Sequence, residues 1–199
     1  MKIIPFLFFL TFLTYYSSAQ DTLILNSGRT IIVKDVQIGG YQISYHRQTE
    51  GAKQKKINLE KVFSLKYHDG NEHVFYQPDS LEEDDFTPDQ MRMYIRGEQD
   101  AMKYYKNNTN KIAALVSGGA VSYFGFYGII GPAIYSTIVG AFSPDVEKQP
   151  FLDPALVHVE EYKDGFQRKV RDKKIKDSIL YGLLGFAAGV VTYSVATHN

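Results

Sequence analysis

The chain has 199 residues, 22 Lys+Arg set against 22 Asp+Glu, and no cysteine. A zero net charge excludes a general nucleic-acid binder, which needs a basic excess to displace counterions from phosphates. The absence of Cys excludes thiol chemistry, disulfides and a lipid-modified amino-terminal cysteine.

Residues Met1 to Ala19 have the order of a secretory signal peptide. Lys2 supplies the positive start, Ile3 to Tyr16 is an uncharged apolar run, and Ser17-Ser18-Ala19 puts small residues before Gln20. An uncleaved anchor is the alternative, but the 14-residue run falls short of the roughly 20 residues a bilayer needs. Cleavage after Ala19 leaves 199 − 19 = 180 residues and places the β-rich region beyond it outside the cytoplasm.

Residues 20–77 predict a small β domain. Thr22 to Leu25, Thr30 to Ile38, Gln42 to Arg47, Ile57 to Leu59, Val62 to Tyr67 and Glu72 to Tyr76 alternate with a period of two. Asn26-Ser27-Gly28, Gly39-Gly40 and His68-Asp69-Gly70-Asn71 are turns between them. The expected fold class is α+β, opening with a small antiparallel sheet or an SH3- or Sm-like barrel. His46, His68 and His73 lack the spacing of a metal site, and Asp69 to Glu72 lacks the alternating ligands of a calcium loop.

Residues 78–87 form an acidic linker with Glu82, Glu83, Asp84 and Asp85, too polar to build a core. Thr87-Pro88 then signals a helix that runs to about Asn108, with Met91, Tyr94, Ile95, Met102 and Tyr105 along one side. A second helix is expected to open at Asp153-Pro154 and to carry Leu156, Val159, Tyr162, Phe166 and Val170. Tyr162-x-x-Gly165-x-Gln167 echoes Tyr94-x-x-Gly97-x-Gln99, and an uncharged Gly-rich segment follows each. The three shared residues suggest a repeated unit, an amphipathic helix feeding an apolar one. Around Gly97-Glu98-Gln99-Asp100-Ala101 and Tyr104-Tyr105 the chain resembles a group of uncharacterised exported envelope proteins of Gram-negative bacteria. These pair a small β domain with such a helix and paired Gly-rich segments. The resemblance implies an envelope location and brings no activity or site residues.

Residues 88–199 contain two uncharged stretches, 112–142 and 178–197, of 31 and 20 residues. Such lengths fit transmembrane helices. The first is expected to run as a helix from Ile112 to Ile130 and to break at Gly131-Pro132. Ala114, Gly118 and Ser122 recur every fourth residue, and Gly182, Gly185 and Gly189 line the second stretch. These six are the candidate helix-packing residues, since small side chains let helix backbones approach closely in lipid. If each stretch crosses once, the loop Ser143 to Asp177 lies on the cytoplasmic side. Its eight Lys/Arg, six of them from Arg168 to Lys176, agree with the positive-inside rule. A soluble helical hairpin is the competing fold.

No catalytic constellation is present: no GxSxG, no P-loop, no GxGxxG before a helix. Catalytic, metal and cofactor residues are therefore assigned to none. Asn107-Asn108-Thr109 matches a glycosylation sequon that occurs often by chance. The expectation is a non-enzymatic, membrane-anchored envelope protein whose exported β domain binds a protein or peptide. A self-assembling glycine-zipper membrane protein and a soluble periplasmic protein are the alternatives.

Overall fold

The computed structural model describes residues 20–49, 51–78 and 85–197. The expected signal peptide 1–19, residue 50, residues 79–84 of the linker and the last two residues lie outside the described residues. The fold is α+β, with residues 20–25 and 29–76 in one compact unit and residues 77–197 in another, to which residues 26–28 group.

The first unit is a six-stranded antiparallel sheet: β1 Asp21–Leu25, β2 Thr30–Ile38, β3 Gln42–Arg47, β4 Lys55–Asn58, β5 Val62–Lys66 and β6 Glu72–Val74. Their order is β4-β3-β2-β1-β5-β6. Alternation puts Leu23, Leu25, Ile31, Val33, Ile43 and Tyr45 on one buried face, where Val62 and Leu65 join them. Gly70, with φ of 90°, supplies the left-handed residue that the β5–β6 turn requires. In β2 the register slips between Lys34 and Gln37, and Asp35 sits there at φ 53°, a bulge that bends the strand. The sheet is open. Its ends are β4 and β6, of four and three residues, and they do not pair with each other. Two such short strands do not close a barrel.

The second unit is helical: α1 Pro88–Tyr104, α2 Asn108–Val121, a 3-10 segment Ser122–Ile130, α3 Gly131–Ala141 and α4 Glu160–Thr197. A capping box starts α1, with the Thr87 side chain accepting from the Gln90 amide and the Gln90 side chain accepting from the Thr87 amide. The helix stops at Tyr104, four residues before the expected end, and α2 restarts at Asn108.

The first apolar stretch is not one rod. Its helix ends at Val121, and the chain turns at Gly125, whose φ of 57° and ψ of −136° no side-chain-bearing residue readily adopts. The expected break at Gly131-Pro132 is instead the start of α3, where a first-turn proline has no needed N–H to lose. Likewise Asp153-Pro154 opens only a turn, with the Asp153 carbonyl accepting from Leu156 and Val157. Helix α4 begins at Glu160 and continues unbroken for 38 residues.

Direction along α4 follows from the contacts. Gly118 meets Gly182, and Ser122 meets Gly189, so α2 runs parallel to α4. Pro132 meets Gly182, and Ile175 meets Gly140, so α3 runs back. At the charged end, Ala101, Val146, Leu152, Val157, Tyr162, Phe166 and Val170 form a core.

Candidate functional site

The two copies of Tyr-x-x-Gly-x-Gln lie face to face. A Cβ on Gly97 would overlap the Tyr162 carbonyl oxygen, and a Cβ on Gly165 would overlap that of Tyr94. The Tyr162 hydroxyl donates to Asp100 Oδ2 at 2.8 Å, while the Tyr94 hydroxyl accepts from Arg168 Nη1 at 3.1 Å. All four relations obey one offset, 162 − 94 = 165 − 97 = 168 − 100 = 68. The α1 and α4 segments are thus related by a local two-fold axis along the helix pair. Burial pushes the Tyr162 phenol up, and its hydrogen bond to Asp100 adds to the shift.

The same relation recurs lower down. A Cβ on Gly118 would overlap the Gly182 carbonyl, and one on Gly185 would overlap that of Leu115. Here the offset is 185 − 118 = 182 − 115 = 67. The six helix-packing candidates fall in this interface. Ala114, Gly118 and Ser122 are buried on α2 and its C-cap, and Gly182 and Gly185 are buried on α4. A Cβ on Gly189 would overlap Ser122 Oγ. Sequence reasoning missed a third row: Gly128, Pro132, Ser136 and Gly140 are all buried, and they recur every fourth residue. That spacing was the available signal.

Around these small interior residues the polarity is inverted. Ile112, Val116, Ile134, Ile138, Leu180, Leu184 and Val191 are exposed. At the turn, Phe126 and Tyr127 are 83% and 81% exposed. The described stretches Asn108–Ala141 and Glu160–Thr197 are each long and apolar enough to cross a membrane. Only 22% and 11% of their most apolar windows are buried, unlike the core helices of a soluble fold. Tyr123 at the turn meets Tyr193 edge-on, 5.8 Å between ring centroids, about 22 Å along α4 from Ser178.

Because α2 and α3 form a hairpin, both ends of the first stretch return to one level. Lys173 Nζ donates to the Tyr105 carbonyl at 2.6 Å, and Lys174 Nζ donates to that of Phe142 at 2.7 Å. Residues 112–142, expected to cross once, double back at the turn at Gly125. The segment Arg168–Lys176 therefore lies at the same end of the helical unit as Lys106 and Lys111.

The other residues singled out in the sequence go to separate places. His46 faces Asp35 at 3.6 Å, His68 faces Asp21 at 3.4 Å, and the His73 ring packs on Phe75. Asn107 of the sequon is buried, its amide donating to Asp177 Oδ2 at 3.1 Å. Glu82 to Asp84 of the acidic run lie outside the described residues. Comparison of the chain with protein-family models, curated proteins and solved structures gives no match.

Proposed function

We propose that this is a non-enzymatic, membrane-anchored protein of the cell envelope, exported by its amino-terminal signal, whose β domain binds a protein or peptide partner. The observation that carries the membrane part is the inverted polarity of the α2–α3–α4 bundle, with small side chains inside and large apolar ones outside. A soluble hairpin leaves that apolar surface unaccounted for. The glycine-zipper alternative is weakened because the glycine rows are consumed by contacts within one chain. For the β domain, the order β4-β3-β2-β1-β5, a single 3-10 turn between β4 and β5 and a bulge bending β2 favour an SH3-like relationship. Strand β4, carrying Lys55 and Lys56, ends the sheet and suits an extended acidic segment.

The test uses the natural absence of cysteine. Alkaline carbonate is expected to leave the full chain in the membrane pellet. Single variants Lys106→Cys and Gln149→Cys are expected to react with an impermeant maleimide from the same side, and Thr197→Cys from the other. Release by carbonate sinks the membrane anchor; labelling of positions 106 and 149 from opposite sides sinks the hairpin. Photocrosslinking from position 56 in intact cells, lost on Lys55→Glu, supports the partner; no crosslink anywhere along β4 removes it.

A further inference from the structure

Between the α1–α2 junction, α3 and α4 lies a cleft of about 380 Å³. Its polar walls include Lys106, Thr109, Tyr135 and Lys174, and its apolar walls Ala113 and Val139. The Tyr135 hydroxyl donates to Asn110 Oδ1 at 3.0 Å, and Asn110 donates to Ser178 Oγ at 2.8 Å, so this side of the cleft is fixed. Partial burial depresses the Lys174 ammonium, for which the only hydrogen bond among the described residues is to the Phe142 carbonyl. Asp177 on α4 is already matched by Asn107 at 3.1 Å and Lys111 at 3.7 Å, and neither Lys106 nor Lys174 has an ion pair among the described residues.

The position of the cleft narrows its ligand. Charged side chains end at Lys111 on α2 and at Asp177 on α4, and exposed apolar ones begin at Ile112 and Ile179. Phe142 closes α3 at the same level, 68% exposed. The cleft thus straddles the boundary between a basic collar and an apolar belt, with cationic groups on the collar side.

We propose that this cleft binds the phosphate of an anionic phospholipid, with Lys106 and Lys174 facing the phosphate and an acyl chain lying along Ala113 and Val139. The proposal rests on the membrane-anchored reading of the helical bundle. Phosphate oxygens accept from both ammoniums and from Thr109. The apolar walls favour a lipid over soluble phosphate, and juxtamembrane lysines are suited to anionic headgroups.

The test reconstitutes the full chain in nanodiscs of equimolar phosphatidylglycerol and phosphatidylcholine, extracts it into mild detergent and counts retained lipids by native mass spectrometry. Wild type is expected to keep phosphatidylglycerol about thirtyfold over phosphatidylcholine, from roughly 1 kcal/mol for each of the two lysines. Lys106→Glu, at an exposed position, and Lys106→Gln combined with Lys174→Gln are expected to lose that preference, while Lys148→Gln, outside the cleft, keeps it. Equal retention of the two lipids by wild type overturns the proposal, as does an unchanged preference in Lys106→Glu. Displacement by millimolar inorganic phosphate overturns the lipid assignment. Carbonate extraction of cell membranes carrying the same chains separates the failures: no lipid preference with retained membrane association faults the cleft, and release of wild type faults the anchor.

Discussion

Where α1 meets α4, the paired glycines Gly97 and Gly165 lie between the Tyr162–Asp100 and Tyr94–Arg168 hydrogen bonds, and the large buried side chains include Tyr94, Tyr162 and Phe166. Where α2 meets α4, Gly118 and Gly185 make the same carbonyl contact, surrounded by Ile112, Leu115, Val116, Leu183 and Leu184 on the outside. One backbone geometry therefore serves two surroundings, one charged and one apolar. At the charged end it coexists with an aromatic core of ordinary polarity, so burial of apolar area still contributes. At the apolar end the inside holds little beyond Gly, Ala, Ser and Pro, and cohesion falls to close backbone approach. Each helical glycine costs about 1 kcal/mol against alanine, which close Cα–H···O contacts offset in part.

The largest effect is expected from forcing the helices apart. Gly118→Leu or Gly185→Leu pushes a side chain into the facing backbone, at a cost of about 3 kcal/mol. Thermal unfolding in detergent measures it, and Gly165→Leu at the charged end should match. Gly119→Ala is the control, since its Cβ would stand an ordinary 3.6 Å from the Gly185 carbonyl. That variant is expected to gain up to about 1 kcal/mol. A Gly185→Leu protein that stays folded and merely changes from oligomer to monomer would return the glycines to an intermolecular role.

Next comes a charge on the outside. Ile134→Lys and Leu184→Lys alter exposed positions, which in a water-facing surface change stability by about 0.5 kcal/mol or less. In a bilayer each costs about 3 kcal/mol to insert. The carbonate-resistant fraction should fall for both and stay unchanged for Glu160→Lys at the charged end.

The same contrast explains what the sequence made legible. Strands β2 and β3 sit where alternation puts them, because a one-sided sheet writes its burial into a period of two. The rows Ala114-Gly118-Ser122 and Gly182-Gly185-Gly189 were visible for a similar reason, as small residues at helical spacing. The hairpin was not. A turn inside an apolar stretch carries no polar residues to mark it, and Gly125 is one glycine among several. Proline misled, since Pro132 starts a helix as readily as it ends one. Three identities could not show that the repeats face each other; the crossed bonds Tyr162–Asp100 and Tyr94–Arg168 do.

Those crossed bonds should differ in weight despite their symmetry. Tyr162 is fully buried, so Tyr162→Phe removes a donor that orders Asp100, a loss of about 1 kcal/mol in the unfolding free energy. Tyr94→Phe leaves Arg168, which is exposed, to find water, and a few tenths of a kcal/mol are expected. Equal losses would mean the two ends of the axis are equally dry.

The smallest effect concerns a place where the repeats disagree. At the 68-residue offset, Glu98 corresponds to Phe166, which is fully buried. Glu98 is itself buried, with Oε2 lacking a hydrogen-bond partner among the described residues and Lys169 3.7 Å from Oε1. Burial raises its carboxyl above the ordinary value, and Lys169 opposes the shift. The folded state therefore holds the proton more tightly than the unfolded chain. Its contribution is fully present below the ordinary Glu pKa and is lost as pH rises through the raised one. Unfolding followed across this window should show a stability that declines with pH in wild type. Glu98→Gln cannot ionise, so it should flatten the decline while leaving the low-pH value nearly unchanged. A slope that survives in Glu98→Gln would assign the titration to another group and leave Glu98 as an ordinary partner of Lys169.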